Sequence, residues 1–222
     1  MEEFAEILFR TLDKLAAATS STGEDGAELR HKIGIMRTDF INMINAGTFA
    51  DQLLALFSLA IKSNVSLHGL ATVRESLFAE VPEVTVPENQ ISEALITSAI
   101  IFCLSTETRI VVTITFTSRD DVEKMMATYK TAFDTARELA VEDKESGAYE
   151  TLTFMAGSLT QHLATVARPL PRMVRFLMSK SLPALTLSNR LYYDADRWEE
   201  LIEENKTIHP AFCQRDLRGL SS

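Results

Sequence analysis

The sequence predicts a mainly α-helical protein, made of a helical body followed by a small α+β module. Through the first two thirds of the chain, apolar residues recur three and four positions apart, which is the spacing of one helix face. From Pro171 onward the pattern changes to a short strand-like segment followed by two short helical segments. We therefore expect a helical body over residues 1–168, with a linker near 82–89, and a module over residues 169–222.

The composition excludes several classes of protein. The chain has 222 residues, of which 46% are hydrophobic and 24% charged, as in ordinary folded proteins and unlike disordered ones. Its net charge of -9 argues against a general nucleic-acid binder, because phosphate affinity needs clustered lysine and arginine. Two cysteines, Cys103 and Cys213, cannot form a disulfide framework or hold a zinc ion alone. We expect both to be reduced.

Helical periodicity predicts the elements of the body. A first helix is expected over Glu2–Ala18, followed by a polar break at Ser20–Gly26. Periodicity then continues from Leu29 to Ile44 and is interrupted at Gly47. The apolar run Phe49–Ile61 carries few charges and is expected at the centre of a bundle or under a partner.

The second half of the body begins after the segment VPEVTVPEN, which its two prolines predict to be an extended linker. Ile91–Leu104 is predicted to be a buried helix. Arg109–Phe116 (RIVVTITF) is rich in β-branched residues, so both a strand and a continued helix remain open. Ser118 is predicted to cap a helix that reaches about Ala140, and another helix is expected from Gly147 to about Val166.

No membrane span or export signal is predicted. The most apolar stretch, Ile91–Leu104, is shorter than the roughly 20 residues that a bilayer span needs, and it contains Glu93. The N-terminal segment MEEF carries two glutamates, whereas a signal peptide begins with positive charge.

The sequence lacks the motifs of common catalytic and metal sites. It contains no nucleophile elbow, phosphate-binding loop or HExxH zinc motif, and its four histidines are scattered without metal-ligand spacing. Cys103 is predicted to be a small core residue and Cys213 to be exposed. The glutamates between Glu199 and Glu204 are interpreted as a solvated helix face. We predict no enzymatic activity, no catalytic residue, no cofactor and no metal.

The last 55 residues carry the most specific pattern. A strand is predicted at Met173–Met178, with Met173 and Leu177 alternating with Arg175, followed by helices over Pro183–Tyr192 and Asp196–Glu204. Asn205 is predicted to end the second helix in a left-handed conformation.

This order of elements resembles a LysM motif, in which a strand precedes two short helices and a closing strand. The matching positions are Leu187, Leu191, Tyr192, Asp194, Trp198, Leu201 and Asn205. LysM-like modules bind N-acetylglucosamine glycans and also occur as structural parts of phage tails. The resemblance therefore implies either glycan binding or a structural role.

The region from about Ser118 to Arg215 also resembles the C-terminal part of the Mu-type phage DNA circularisation protein, a tail and baseplate component. The shared elements are Arg168–Pro171 (RPLP), Ser181–Pro183 (SLP), Arg190–Tyr192 (RLY) and Ile208–Phe212 (IHPAF). The resemblance implies a virion protein that is assembled in the host cytoplasm. Its implied partners are hub, wedge, tube or sheath subunits and copies of itself.

The chain departs from that family in two ways. Residues 1–115 show no counterpart of the N-terminal domain that gives the family its name. The closing strand is reduced to Asp216–Ser222, which suits a module completed by a neighbouring chain.

The charge pattern also favours docking. Arg168–Leu191 contains five basic residues and no acidic one, whereas Asp194–Glu204 contains six acidic residues and one arginine. A module with a basic and an acidic side suits oriented packing in a ring. The predicted partner-docking residues are Arg172, Arg175, Arg190, Leu191, Tyr192, Asp194, Trp198, Asn205, His209 and Phe212.

Three functional hypotheses follow. The first is a structural, non-enzymatic component of a contractile phage tail, located at the baseplate or hub. The second is peptidoglycan binding through the LysM-like module. The third is binding of phage DNA ends, which only the five-cation stretch could support.

Overall fold

The structure is a computed structural model, and it describes residues 2–19, 23–80, 90–142 and 146–221. The described helices are α1 (Glu2–Ala18), α2 (Glu24–Asn45), α3 (Phe49–Lys62), α4 (Leu67–Glu80), α5 (Gln90–Val111), α6 (Arg119–Glu142), α7 (Ser146–Ala167), α8 (Ala184–Tyr192) and α9 (Trp198–Asn205). The described strands are β1 (Met173–Leu177) and β2 (Asp216–Leu220). The predicted fold class, mainly α with a small α+β module, is confirmed.

The chain divides into two compact units. The first contains residues 1–114 and 128–161, and the second contains residues 115–127 and 162–222. We call the second the C-terminal unit, and we call its last part, residues 173–221, the module. The sequence boundary at residue 168 stays a prediction.

The core of the first unit is built by helices with one apolar face. Helix α1 packs against α2 and α4, α4 packs against α5, and α3 packs against both α2 and α5. Helix α3 follows from the apolar run Phe49–Ile61, and it buries Leu53, Leu56 and Phe57 while Leu54 stays half exposed. The run therefore lies in the core of its own unit, one of the two locations expected.

The boundaries of several predicted elements differ in the structure. The polar break predicted at Ser20–Gly26 extends too far, because α2 already begins at Glu24. Gly47 does interrupt the helices, in a left-handed turn with φ of 70°. Helix α5 continues to Val111 and then gives way to a turn and irregular chain, so Arg109–Phe116 is part helix and part loop, with no strand. The linker predicted at 82–89 lies outside the described residues.

The start of α6 was predicted correctly, and its cap explains why. The Ser118 hydroxyl accepts a hydrogen bond from the Asp121 backbone N–H at 3.2 Å and donates one to the Asp121 carboxylate at 2.6 Å. The serine thereby satisfies a backbone donor that the first helical turn leaves unpaired. The cap also holds the pKa of Asp121 below its usual range, mainly through the serine hydrogen bond.

The module is a strand–helix–helix–strand unit with its own core. Strands β1 and β2 pair antiparallel, with Met173 opposite Leu220 and Leu177 opposite Asp216. Helix α9 packs against α8 and β2. The fully buried core residues of the module are Ala184, Leu187, Leu201, Cys213 and Leu217.

Four expectations about the module are wrong. The final strand is not truncated, because β2 forms within this chain and closes the sheet. The left-handed residue after α9 is Lys206, one position beyond Asn205. The second short helix begins at Trp198 and not at Asp196. Cys213 is buried, since its segment folds back across the module and places the thiol in the core.

Candidate docking surfaces of the C-terminal module

The closing strand is held in place by a side chain at the end of α9. Asn205 Oδ1 accepts a hydrogen bond from the Arg218 backbone N–H at 2.7 Å, and Asn205 Nδ2 donates to the Arg218 carbonyl at 2.7 Å. The same Nδ2 also donates to the Leu201 carbonyl at 2.8 Å, which fixes the amide to its own helix. Asn205 therefore acts as a structural clamp, although the sequence placed it among the docking residues.

Tyr192 on α8 packs over Gly219 on β2. A Cβ atom on Gly219 would lie 2.1 Å from the Tyr192 hydroxyl oxygen, so strand β2 can approach α8 only because this residue is glycine. The Tyr192 ring meets Phe176 edge to face, and the Arg197 guanidinium lies 3.8 Å from its centroid. Burial raises the pKa of Tyr192. Tyr192 is thus a packing residue of the module.

The loop between α9 and β2, residues 206–215, carries two large apolar side chains into solvent. Ile208 is fully exposed at 100%, and Phe212 is 72% exposed. The His209 and Phe212 rings lie against each other, with centroids 5.7 Å apart. We call Ile208, His209 and Phe212 the apolar loop patch.

The apolar loop patch stands on a well-anchored backbone. The Ala184 N–H donates to the Pro210 carbonyl at 2.7 Å, and the Cys213 N–H donates to the Leu182 carbonyl at 3.1 Å. The Ser181 hydroxyl donates to the Cys213 carbonyl at 2.7 Å. A loop held at both ends loses little conformational freedom on binding, which is a property of preorganised docking surfaces.

The outer face of the sheet is charged. Arg175 on β1 lies opposite Arg218 on β2, and Arg175 Nε donates to Asp216 Oδ1 at 2.6 Å. This hydrogen bond holds the pKa of Asp216 below its usual range, and the pair offsets the repulsion between two facing arginines. Sequence reasoning missed Asp216, because its partner lies 41 residues away.

Four of the six acidic residues in Asp194–Glu204 lie on α9. Glu199 and Glu203 are exposed there, whereas Glu200 accepts two hydrogen bonds from Arg197 at 2.8 and 2.9 Å. The Arg197 pair is local to the helix and only partly buried, so it contributes little to docking.

The ten predicted docking residues divide into two groups. Arg172, Arg175, Arg190, Asp194, His209 and Phe212 are exposed. Leu191, Tyr192 and Trp198 pack against the module core, and Asn205 clamps β2. Of the exposed group, His209 and Phe212 are in ring contact, and the structure adds exposed Ile208, which the sequence did not single out as a docking residue.

The first unit contains a buried polar cluster of a different kind. Arg74 Nε donates to both carboxylate oxygens of Glu107, at 3.0 and 3.3 Å, and the Tyr129 hydroxyl bonds the same carboxylate. Burial raises the pKa of Glu107, although Arg74 opposes that rise. Burial also raises the pKa of the Cys103 thiol, and its side chain lies in the core as predicted.

Within the described ranges, no group of three or more histidine, cysteine, aspartate or glutamate side chains is arranged to hold a metal ion. No described helix is long and apolar enough to cross a membrane.

No protein-family model matches the chain, and no curated protein matches its sequence.

Proposed function

We propose that this chain is a structural subunit of a contractile phage tail, at the baseplate or hub, and that its C-terminal module docks onto neighbouring subunits. The observation that carries the proposal is the exposure of Ile208 and Phe212 on an anchored loop. Both belong to the IHPAF element, one of the four sequence elements on which the resemblance to the tail protein depends. Neither side chain is used in the module core.

Apolar side chains on a rigid loop favour a protein partner. Burying a phenylalanine and an isoleucine at an interface removes apolar surface from water, and aromatic anchors of this kind dominate binding energy. The exposed charges around them set orientation, with cations before α8 and acids on α9. The module would then hold adjacent subunits of a ring together.

The test is to locate the chain in particles and to remove the apolar loop patch. Mass spectrometry of purified tailed particles should detect the chain, and immuno-electron microscopy should label the baseplate end. An Ile208→Ser/Phe212→Ser variant should fold but be absent from particles formed without the wild-type chain. Phe154→Ser is the matched control, because Phe154 is 76% exposed on α7, outside the module, and its removal should leave incorporation unchanged.

Absence of the chain from particles, or normal incorporation of the double variant, contradicts the proposal. The purified chain should also self-associate at high concentration, since exposed apolar patches associate. If the purified chain is a monodisperse monomer at all concentrations, other copies of the same chain are not its partners.

The completed sheet favours peptidoglycan binding as a second candidate. With β2 in place, the module has the strand–helix–helix–strand order of a LysM motif within one chain. Retention of the chain on insoluble peptidoglycan would support this candidate. Loss of retention in the Ile208→Ser/Phe212→Ser variant would assign glycan binding to the apolar loop patch. DNA-end binding has weaker support, because Arg175 in the basic stretch is already paired with Asp216.

A further inference from the structure

The two edges of the module sheet differ in their backbone hydrogen bonding. The Ser221 N–H donates to the Arg172 carbonyl and the Met178 N–H donates to the Arg215 carbonyl, both at 2.7 Å. Residues that bond across an antiparallel pair alternate along each strand. Val174 and Phe176 therefore direct their backbone groups toward β2, whereas Arg175 and Leu177 direct theirs toward the outer edge of β1.

The outer edge of β2 is closed at its centre. There, Arg218 is the residue whose N–H and carbonyl point outward, and the Asn205 amide bonds both. A side chain from α9 thus replaces the strand that would otherwise pair with β2. A third strand cannot reach Arg218 without displacing Asn205.

The outer edge of β1 is open over its second half. At its first residue, the Met173 N–H donates to the Asp120 carboxylate at 2.6 Å. Within the described part of the chain, no hydrogen bond is seen from the outward backbone groups of Arg175 or Leu177. Unpaired strand edges of this kind accept extended segments of other chains.

The side chains along this edge indicate which segment would fit. Leu177 is 75% exposed and Val174 is 38% exposed, so an added strand would cover apolar surface on both faces of the sheet. Arg172 and Lys180 flank the edge and are exposed, and residues 168–191 contain no acidic side chain. Pairing of β1 with β1 of a second copy would bring like charges together, which disfavours a self-pair. Two carboxylates at this strand are already bound, Asp120 by the Met173 N–H and Asp216 by Arg175. An acidic segment is therefore complementary to Arg172 and Lys180.

We propose that β1, from Arg175 to Leu177, accepts an extended acidic segment of a different tail subunit by strand addition. This inference rests on the proposed function, and it adds the partner's chemistry: an extended polypeptide with acidic residues beside Arg172 and Lys180. The backbone of Arg175 and Leu177 supplies hydrogen bonds, and Leu177 and Val174 supply apolar contacts. The apolar loop patch is a separate surface of the same module.

Synthetic octapeptides test the charge preference. Valine occupies alternate positions, and the intervening positions are all glutamate, all glutamine or all lysine. With the full chain, the glutamate peptide should bind with a Kd of about 1 mM or tighter, the glutamine peptide more weakly, and the lysine peptide not at all. Equal binding of the three peptides, or no binding of the glutamate peptide, overturns the inference.

Hydrogen exchange locates the bound peptide. In the free chain, the Arg175 and Leu177 amides should exchange faster than those of Val174 and Phe176, which pair with β2. Saturating glutamate peptide should slow exchange at Arg175 and Leu177 by about tenfold or more and leave Val174 and Phe176 nearly unchanged. Strong protection of Arg175 and Leu177 in the free chain would show that the edge is already covered and would overturn the proposal.

A proline at Leu177 removes one outward donor and leaves the inward ladder unchanged. Leu177→Pro should bind the glutamate peptide at least tenfold more weakly than Leu177→Thr, because both variants lose the leucine side chain but only the proline variant also loses the outward N–H. Undiminished binding to a folded Leu177→Pro variant contradicts the proposal. If that variant does not fold, the hydrogen-exchange pattern of the unmodified chain with the glutamate peptide tests the proposal instead.

The two proposals fail in different ways. A chain that is present in tail particles but shows no glutamate-peptide protection at β1 retains the proposed function and loses the strand-addition site. A chain that is absent from particles loses the proposed function, whatever the peptides show.

Discussion

Asn205 and Arg218 are joined by two hydrogen bonds between one side-chain amide and one backbone unit. The amide oxygen accepts from the Arg218 N–H and the amide nitrogen donates to the Arg218 carbonyl, each at 2.7 Å. The two residues lie 13 positions apart, on α9 and β2. The end of a helix thereby fixes the position of the last strand, and the module closes without a neighbouring chain.

Removal of this amide should destabilise the module. Asn205→Ala leaves the Arg218 N–H and carbonyl without their partner, which we expect to lower the free energy of unfolding by ~1–3 kcal/mol. Asn205→Asp should have a similar effect, since a carboxylate cannot donate to the Arg218 and Leu201 carbonyls. Urea unfolding of the full chain, monitored by alkylation of the buried Cys213 thiol, measures the change.

Gln214→Ala is the control for that experiment. Its amide nitrogen contacts the Asn205 carbonyl at 3.5 Å from an exposed position, so its loss should change stability by less than ~0.5 kcal/mol. An Asn205→Ala variant as stable as the control would show that the clamp contributes nothing.

Gly219→Ala should destabilise the module by overpacking. The new methyl group would meet the Tyr192 hydroxyl at 2.1 Å and carbon atoms of Leu201 and Phe176 at 3.2 Å, which we expect to cost ~1–3 kcal/mol. The Tyr192 hydroxyl is buried without a hydrogen-bond partner in the described part of the chain. Tyr192→Phe should therefore be tolerated alone and should restore at least half of the loss in the Tyr192→Phe/Gly219→Ala double variant.

The matched glycine control lies in α7. A Cβ at Gly157 meets no atom within 4 Å, so Gly157→Ala should stabilise the chain by ~0.5–1 kcal/mol through the lower entropy of the unfolded state. Thermal unfolding of the four variants measures these changes. Additive effects of the Tyr192 and Gly219 substitutions would contradict a direct clash between them.

Local signals explain which elements the sequence predicted. The repeat of apolar residues in α1 and the cap formed by Ser118 and Asp121 involve neighbours within four positions. Strand β1 was also placed correctly, but the sequence did not show which face is buried: Leu177 is exposed and Phe176 packs on the core. Which face of a short strand is buried depends on what packs against it, and that information lies elsewhere in the chain.

Long-range contacts explain what the sequence did not reveal. Arg175 pairs with Asp216 across 41 positions, and Arg74 pairs with Glu107 across 33 positions. No periodicity or motif connects such residues. The closing strand was judged incomplete for the same reason, because the side chains that hold it and pack on it, Asn205 and Tyr192, lie on α9 and α8.

Breaking the buried ion pair should destabilise the first unit more than removing it. Arg74 and Glu107 are 5% and 0% exposed, so Glu107→Leu leaves an unpaired buried guanidinium and should cost ~3–5 kcal/mol. The Arg74→Leu/Glu107→Leu variant has no buried charge at these positions but leaves the Tyr129 hydroxyl without its acceptor, so we expect it to cost ~1–3 kcal/mol, less than Glu107→Leu alone. Urea unfolding of Arg74→Leu, Glu107→Leu and the double variant gives the coupling free energy between the two side chains. A double variant less stable than either single variant would contradict this account.

Glu107 should also make stability depend on pH. Burial raises its pKa in the folded chain above 4.5, and Arg74 only partly opposes this rise, so the folded state binds the proton more tightly than the unfolded state. The contribution of Glu107 to the free energy of unfolding is then fully present below pH 4.5 and is lost as the pH rises through its raised folded-state pKa. The difference in unfolding free energy between wild type and Glu107→Gln should therefore fall with increasing pH in that window. A difference that grows with pH would mean that pairing with Arg74 outweighs burial.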